Sequence, residues 1–348
     1  METLTLRRPS DFHVHFRRGQ ILVDVAPETS KVFGRATIEP NCVPEILTGP
    51  DWIAYRQEIQ NVCGTNFEPL GTIKITDTTT PDMIDEAADC GIMVTKWYPK
   101  GVTTGADMTG ITSFRRLYPV LKRIEERNMI ASLHGERPGA NMLQAEIAFL
   151  PTLERLAYDF PNLRIIMEHL STAKAVEMVK SLPVNVAATI TAHHLWLTMN
   201  DVFGALTLEQ IENIDAVSVL YPHNFCKPVA NSSTDRFALI SAAASGNPKF
   251  FFGSDSAPHL LGMKTIQPRP KAGVFSAPIA LPILAQVFSL VHLLERLEDF
   301  VSKFGAEFYG LPLNPGAIKL VREPWQVPLE QNGIGLWLGG RTINWRVA

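Results

Sequence analysis

Residues 11–17 read Asp-Phe-His-Val-His-Phe-Arg. Phe12, Val14 and Phe16 alternate with His13, His15 and Arg17. In a strand, alternate residues face the same side. The stretch therefore predicts a strand with one apolar face and one face carrying two imidazoles and a guanidinium. Two imidazoles on one strand face suit a divalent metal such as zinc, although a lone HxH triplet is a weak sign.

Working outward, apolar or β-branched runs predict strands at 11–16, 31–39, 71–77, 92–98, 129–135, 163–169, 185–193 and 250–255. Amphipathic helical patterns fall between several of them, at 81–90, 114–127, 142–159, 172–181 and 235–245. Strands alternating with helices build a parallel sheet, and eight strands close a barrel. The expectation is an α/β fold, a (β/α)8 TIM barrel. A doubly wound open sheet is the alternative, but no glycine-rich GxGxxG turn follows the first strand. The tail reads as helix at 279–297 and 299–308, then an extension containing Pro, Gly and Trp, packed on the barrel. Residues 1–348 are thus expected to form one barrel domain with a C-terminal helical extension.

Composition sets the outer limits. The 348 residues are 46% hydrophobic and 19% charged, an ordinary globular profile. A formal net charge of −3 and no basic run argue against nucleic acid or an anionic membrane as partner. Cys42, Cys63, Cys90 and Cys226 form no CxxC pair, which suggests free thiols in a reducing compartment. No secretory h-region opens the chain and no apolar run is long enough to span a bilayer, so the cytoplasm is the expected location.

The ends of the predicted strands carry the chemistry. The fourth, Ile92–Tyr98, contains Lys96, which in isolation would be read as a lysine reaching water. The fifth ends in His134, the sixth in His169, and the eighth in Asp255 with His259 just beyond. A single histidine of this kind is usually a packing or loop residue. Metal-type ligands at the same end of five strands are different, because active sites of such barrels sit at the carboxyl ends of the strands.

HxH on strand one, Lys on four, His on five and six, and Asp on eight resembles the amidohydrolase superfamily with a two-metal centre. The words DFHVHFRRG, EPNCVPE, TKWYPKGVTT, LHGE, MEHLST, AATITAHHL, PHNFCKP, FGSDSAPH and KAGVFSAP run in the order found in dihydroorotases of the compact, monofunctional bacterial type. The similarity extends from about residue 6 to about 346. The resemblance implies two zinc ions per subunit. His13 and His15 would bind one with Asp255, and His134 and His169 the other. Lys96 would bridge both as an N-carboxylated lysine, a carbamate derived from carbon dioxide. A free ammonium between two dications would be repelled, whereas a carbamate offers two anionic oxygens.

The implied reaction is the reversible cyclisation of N-carbamoyl-L-aspartate to L-dihydroorotate in pyrimidine biosynthesis. Two-metal centres activate water for attack on such a ring amide, and Asp255 would be the acid–base group. Arg17 stands two residues beyond His15, and its planar fork suits the substrate carboxylate. The resemblance adds Asn41 and His259 to that pocket, and main-chain contacts from Asn224 and Ala272. His15 and His134 would also touch substrate. In Lys100–Asp107, a polar, glycine-bounded stretch of lid character, Thr103 and Thr104 would reach it. His193, His194 and His223 are read as supporting or packing groups, His292 as structural and Asp77 as a turn or cap residue. GADMTG in the lid region and IQPRPKAG near Ala272 depart from the family pattern without touching the ligand set. A homodimer is an expectation from the family alone. The rivals are another cyclic amidohydrolase, of hydantoinase or imidase type, and a catalytically inactive barrel acting as a scaffold.

Overall fold

The computed structural model describes residues 2–103, 106, 108–266 and 270–348. Its eight parallel barrel strands follow the predicted order. The first is Ser10–Val14 and the second Arg35–Ile38. The third comes in two pieces: Glu68–Leu70 pairs with the second strand, and Thr72–Ile75 pairs with the fourth, Val94–Trp97. The break falls at Gly71, where a Cβ would lie 2.6 Å from the indole of Trp52. Ile130–Leu133, Arg164–Met167, Val186–Ile190 and Phe250–Phe252 complete the ring. Closure comes from Asp255 N donating to His13 O (2.8 Å) and His15 N donating to Ser256 O (3.0 Å).

Strand alternation sorts the side chains. Ala36, Ile38, Ile73, Ile75, Leu133, Met167, Ile190 and Phe252 join the large core under the surrounding helices. Phe12, Leu70, Val94, Ile130, Ile166, Ala187 and Phe251 form a separate cluster inside the barrel floor, together with Phe304 and Tyr309. Two residues further along the fourth to seventh strands the inner face turns polar, at Lys96, Ser132, Glu168 and Thr189, all buried. On the first strand the pairing shifts register between Asp11 and Val14. Such a bulge re-aims side chains, so Phe12 belongs to the floor while the next residue, His13, already faces the site.

Caps mark several helix starts. Thr48 and Asp51 form a capping box for Gly49–Cys63, and Ser232 and Asp235 form one for Ser233–Ala244. Thr80 and Thr172 cap Pro81–Asp89 and Ala173–Ser181. Side-chain acceptors satisfy otherwise orphaned N–H groups there.

Two stretches differ from the sequence reading. Residues 31 and 32 lie in a helix, Gln20–Val32, rather than in the second strand. The tail holds the expected helices at Ala280–Leu290 and Phe304–Tyr309, and strands as well. Ala317–Gln326 pairs antiparallel with Thr3–Arg7 on one side and Thr342–Val347 on the other. No helix among the described residues is long and apolar enough to cross a membrane.

Candidate active site

The expected ligands meet at the carboxyl end of the barrel. Ring centroids of His13 and His15 are 5.3 Å apart, those of His13 and His169 5.1 Å, and those of His134 and His169 4.8 Å. Asp255 Oδ1 lies 3.0 Å from His15 Nε2 and 3.4 Å from His13 Nε2. One cavity is lined by His13, His15, Arg17, Asn41, Tyr98, Thr103, His134, His169, Lys227, Asp255 and Ala272 among others. Thr104 lies outside the described residues.

Backbone geometry shapes this mouth. Arg17, His169 and Asp255 have φ of 60°, 42° and 43°. Non-glycine residues rarely occupy this left-handed region, and where they do the surroundings hold them. His169 N donates to Thr189 Oγ1 (2.7 Å), and Asp255 N is fixed to the first strand.

Carboxylates orient the imidazoles. His13 Nδ1 donates to Glu168 Oε2 (2.8 Å), and Ser132 and Thr189 hydroxyls donate to the same carboxylate at 2.6 and 2.5 Å. His134 Nε2 donates to Glu136 Oε2 (2.7 Å), and Lys227 Nζ lies 3.7 Å from Glu136 Oε1. Asn41 Oδ1 accepts from His15 Nδ1 (2.7 Å) as well as from Arg17 Nη1 (3.4 Å). Holding the outer ring nitrogen leaves the inner one free for a metal. Glu39, Glu136, Glu168, Tyr98 and Lys227 were not singled out from sequence. Glu39, Glu136 and Glu168 nevertheless sit inside the words EPN, HGE and MEH.

Protonation follows the same arrangement. Burial works against a charged Asp255, yet the His15 hydrogen bond and the charge of His13 hold its carboxyl below the usual range. Burial, then the neighbouring His134, keeps His169 neutral, far below its ordinary value. Burial disfavours a charged His13, but Glu39 and Glu168 overcome this and raise its pKa.

The donor set fits a metal. His169 Nδ1, Glu39 Oε1 and Lys96 Nζ are buried here without a hydrogen-bond partner. Orphaned buried polar atoms are rare in folded proteins and call for an occupant. Lys96 Nζ lies 3.4 Å from Glu39 Oε2, and both side chains are fully buried. His193, His194 and Cys226 form a second cluster of donor atoms within 4.8 Å of one another. There His194 bonds Thr191 Oγ1 and Pro228 O and burial pushes the Cys226 thiol up to about 12, while both ring nitrogens of His193 are buried without a hydrogen-bond partner.

The anion pocket is partly assembled. Arg17 Nη1 meets Asn41, and Nη2 lies 3.5 Å from His259 Nε2. Burial, then the charge of Arg17, pushes His259 down to about 3, so this neighbour of the guanidinium is uncharged, as Asn41 is. His259 Nε2 donates to Ala272 O (2.9 Å). Asn224 is not among the residues lining this cavity. It lines a neighbouring groove with Trp196 and Tyr221, and its Nδ2 donates to Asp201 O (2.7 Å). Lys264 links the two segments: its buried Nζ donates to Phe225 O (3.3 Å), Lys271 O (2.8 Å) and Gly273 O (2.7 Å). Asp77 receives both Thr112 N and Thr112 Oγ1, as a turn residue would.

Histidines, an aspartate and a lysine converging at the carboxyl mouth of a barrel define the class of barrel proteins with a metal-type hydrolytic site. The L-hydantoinase of Arthrobacter aurescens shares this fold, with a TM-score of 0.79 over 99% of this chain and 83% of its own, at 15% identity. No family model matches the chain. A dihydroorotase from Nitrosococcus oceani is 41% identical over 356 aligned positions, covering 99% of each chain. The crystal structure of dihydroorotase in complex with 5-fluoroorotic acid from Saccharomyces cerevisiae superposes with a TM-score of 0.90 at 36% identity, covering 100% of this chain and 99% of that one. The chain belongs to the dihydroorotase family.

Proposed function

We infer that the protein is a dihydroorotase that interconverts N-carbamoyl-L-aspartate and L-dihydroorotate in pyrimidine biosynthesis. The observation that carries this reading is the placement of Arg17, against the uncharged side chains of Asn41 and His259, beside the buried group of His13, His15, His134, His169, Asp255 and Lys96. A hydantoin ring need bring no carboxylate, whereas dihydroorotate brings one that matches the Arg17 fork.

His13, His15 and Asp255 would hold one zinc ion, His134 and His169 a second, and a carbamate on Lys96 would join them. Two such ions supply Lewis acidity and an activated water. Arg17, Asn41 and His259 grip the carboxylate and set the ring amide toward Asp255. Asp255, kept ionised by its histidine neighbours, accepts a proton from the attacking water and returns it to the departing ring nitrogen. Thr103 would reach the bound ring, and the backbone at Ala272 would steady its far edge. In the reverse direction the carbamoyl nitrogen attacks the side-chain carboxyl carbon, and Asp255 takes the nitrogen's proton and passes it to the departing oxygen, which leaves as water. Residues 1–348 are taken as one barrel domain, working as a homodimer in the cytoplasm.

Purified protein assayed on dihydroorotate, with metal analysis of the same sample, tests the reading. Ring opening that disappears on chelation and returns with zinc is expected. Full activity with less than one metal per chain would overturn the metal assignment, and no turnover by metal-loaded protein would overturn the substrate.

A further inference from the structure

Glu39 follows the second barrel strand, Arg35–Ile38. Ala36 and Ile38 turn outward into the main core, so alternation sends Thr37 and Glu39 inward. Thr37 donates to Tyr309 OH on the barrel floor (3.3 Å), and Glu39 lies above it. Tyr98 OH donates to Glu39 Oε2 (2.6 Å). Glu39 Oε1 is buried without a hydrogen-bond partner, 3.7 Å from His13 Nε2. The nearest cation, Lys96 Nζ, has no hydrogen-bond partner of its own and stands 3.4 Å from the other oxygen.

A fully buried carboxylate is costly unless charge and hydrogen bonds compensate it. One phenol and one distant ammonium leave half of this carboxylate unserved. Donor atoms of His13, His15 and Glu39 all lie within 4.8 Å of one another, close enough to converge on a single ion. Two imidazoles and one carboxylate oxygen are a donor set that zinc favours.

We propose that Glu39 is itself a metal ligand, giving a carboxylate oxygen to the ion held by His13 and His15. The proposal rests on the two-metal reading above and extends its ligand set. Metal loading would then draw Glu39 away from Lys96, from which it stands 3.4 Å.

The opposing role is simple charge neutralisation of Lys96, and it predicts no loss of binding. Were Glu39 only a counter-ion, Glu39→Gln would leave zinc binding unchanged or tighten it by removing the hold on Lys96. As a ligand, its loss weakens binding. Zinc-loaded wild type and Glu39→Gln should therefore be competed against a chromophoric chelator, with melting curves recorded on both. Glutamine keeps the side-chain length and an acceptor for Tyr98. We expect one of the two ions to be released about 10–100-fold more readily from the variant, at least the scale of losing a group that supports a ligand. Glu39→Asp, which keeps the charge but shortens the reach, should lose the same ion. Unchanged or tighter zinc binding in Glu39→Gln would overturn the proposal. A crystal structure of zinc-loaded wild type gives a reading independent of any variant. A Glu39 oxygen about 2.0–2.2 Å from the metal is expected, and Glu39 still paired with Lys96 would overturn it. Wild type that binds no zinc would instead defeat the underlying two-metal reading.

Discussion

Glu168 accepts the Nδ1 proton of His13 at 2.8 Å, a contact buried on both sides and spanning 155 residues of sequence. It leaves the Nε2 of His13 facing Asp255 and Glu39. Glu168→Gln keeps the shape but loses the anion that fixes this tautomer. Zinc affinity should fall about 10–100-fold, as for other groups that orient a ligand. Chelator competition measures it, and wild-type affinity would show that a neutral acceptor held by Ser132 and Thr189 positions His13 well enough.

Gly253 makes room for the same imidazole. A Cβ there would lie 2.9 Å from His13 Cβ and 3.0 Å from Thr189 Cγ2. Gly253→Ala should cost about 1–3 kcal/mol of stability through overpacking and displace His13. Denaturant unfolding with parallel metal analysis is the check. An alanine variant as stable and as metal-rich as wild type would contradict the close packing.

Arg17→Lys keeps the charge but cannot present two parallel donors to a carboxylate. The expected loss in kcat/KM for dihydroorotate corresponds to roughly 2–3 kcal/mol or more. Unaltered kinetics would remove Arg17 from the substrate pocket.

Lys96→Ala should lose at least one metal and most activity while retaining the fold, since Val94 and Trp97 still pack as before. Lys96→Arg should fail equally, because a guanidinium does not take up carbon dioxide. A small carboxylic acid added to Lys96→Ala is expected to restore part of the activity. Labelled bicarbonate should give a carbamate carbon-13 resonance in wild type; its absence from fully loaded, active enzyme would defeat the carbamate.

Burial pushes the Lys264 ammonium down to about 7 from an ordinary 10.5. For a base, a depressed folded pKa means that the unfolded chain binds the extra proton between those two values. Stability contributed by this group therefore rises as pH climbs from about 7 toward 10.5, and is flat below. Urea unfolding of wild type and Lys264→Met at several pH values should show the gap shift in favour of wild type over that window. Parallel profiles would mean that the three carbonyls keep the amine charged throughout.

The histidines were legible because each ends an apolar run, and a strand end in a barrel has a known destination. The carboxylates were harder to read. Glu168 and His169 are neighbours, and strand alternation would send them to opposite faces. Both reach the site because the strand stops at Met167 and His169 takes a φ of 42°. Asn41 was read as a substrate contact, yet it also bonds His15, a pairing that no local pattern announces. The helix Gln20–Val32 carries Pro27 in its interior, which weakens a helical signal. The strand Ala317–Gln326 includes Pro324, and its pairing shifts register between Arg322 and Trp325. Proline inside a strand pattern argues against a strand, so the tail sheet stayed hidden.

That tail sheet bears on how the protein is made. Thr3–Arg7 is made long before its partner Ala317–Gln326. The first barrel strand, only two residues downstream, likewise waits for Asp255 and Ser256 to close the ring. Through most of synthesis, the strand that carries His13 and His15 therefore lacks both of these long-range partners. The metal pocket needs Asp255 beside His13 and His15, so it cannot be complete before the chain has been made that far.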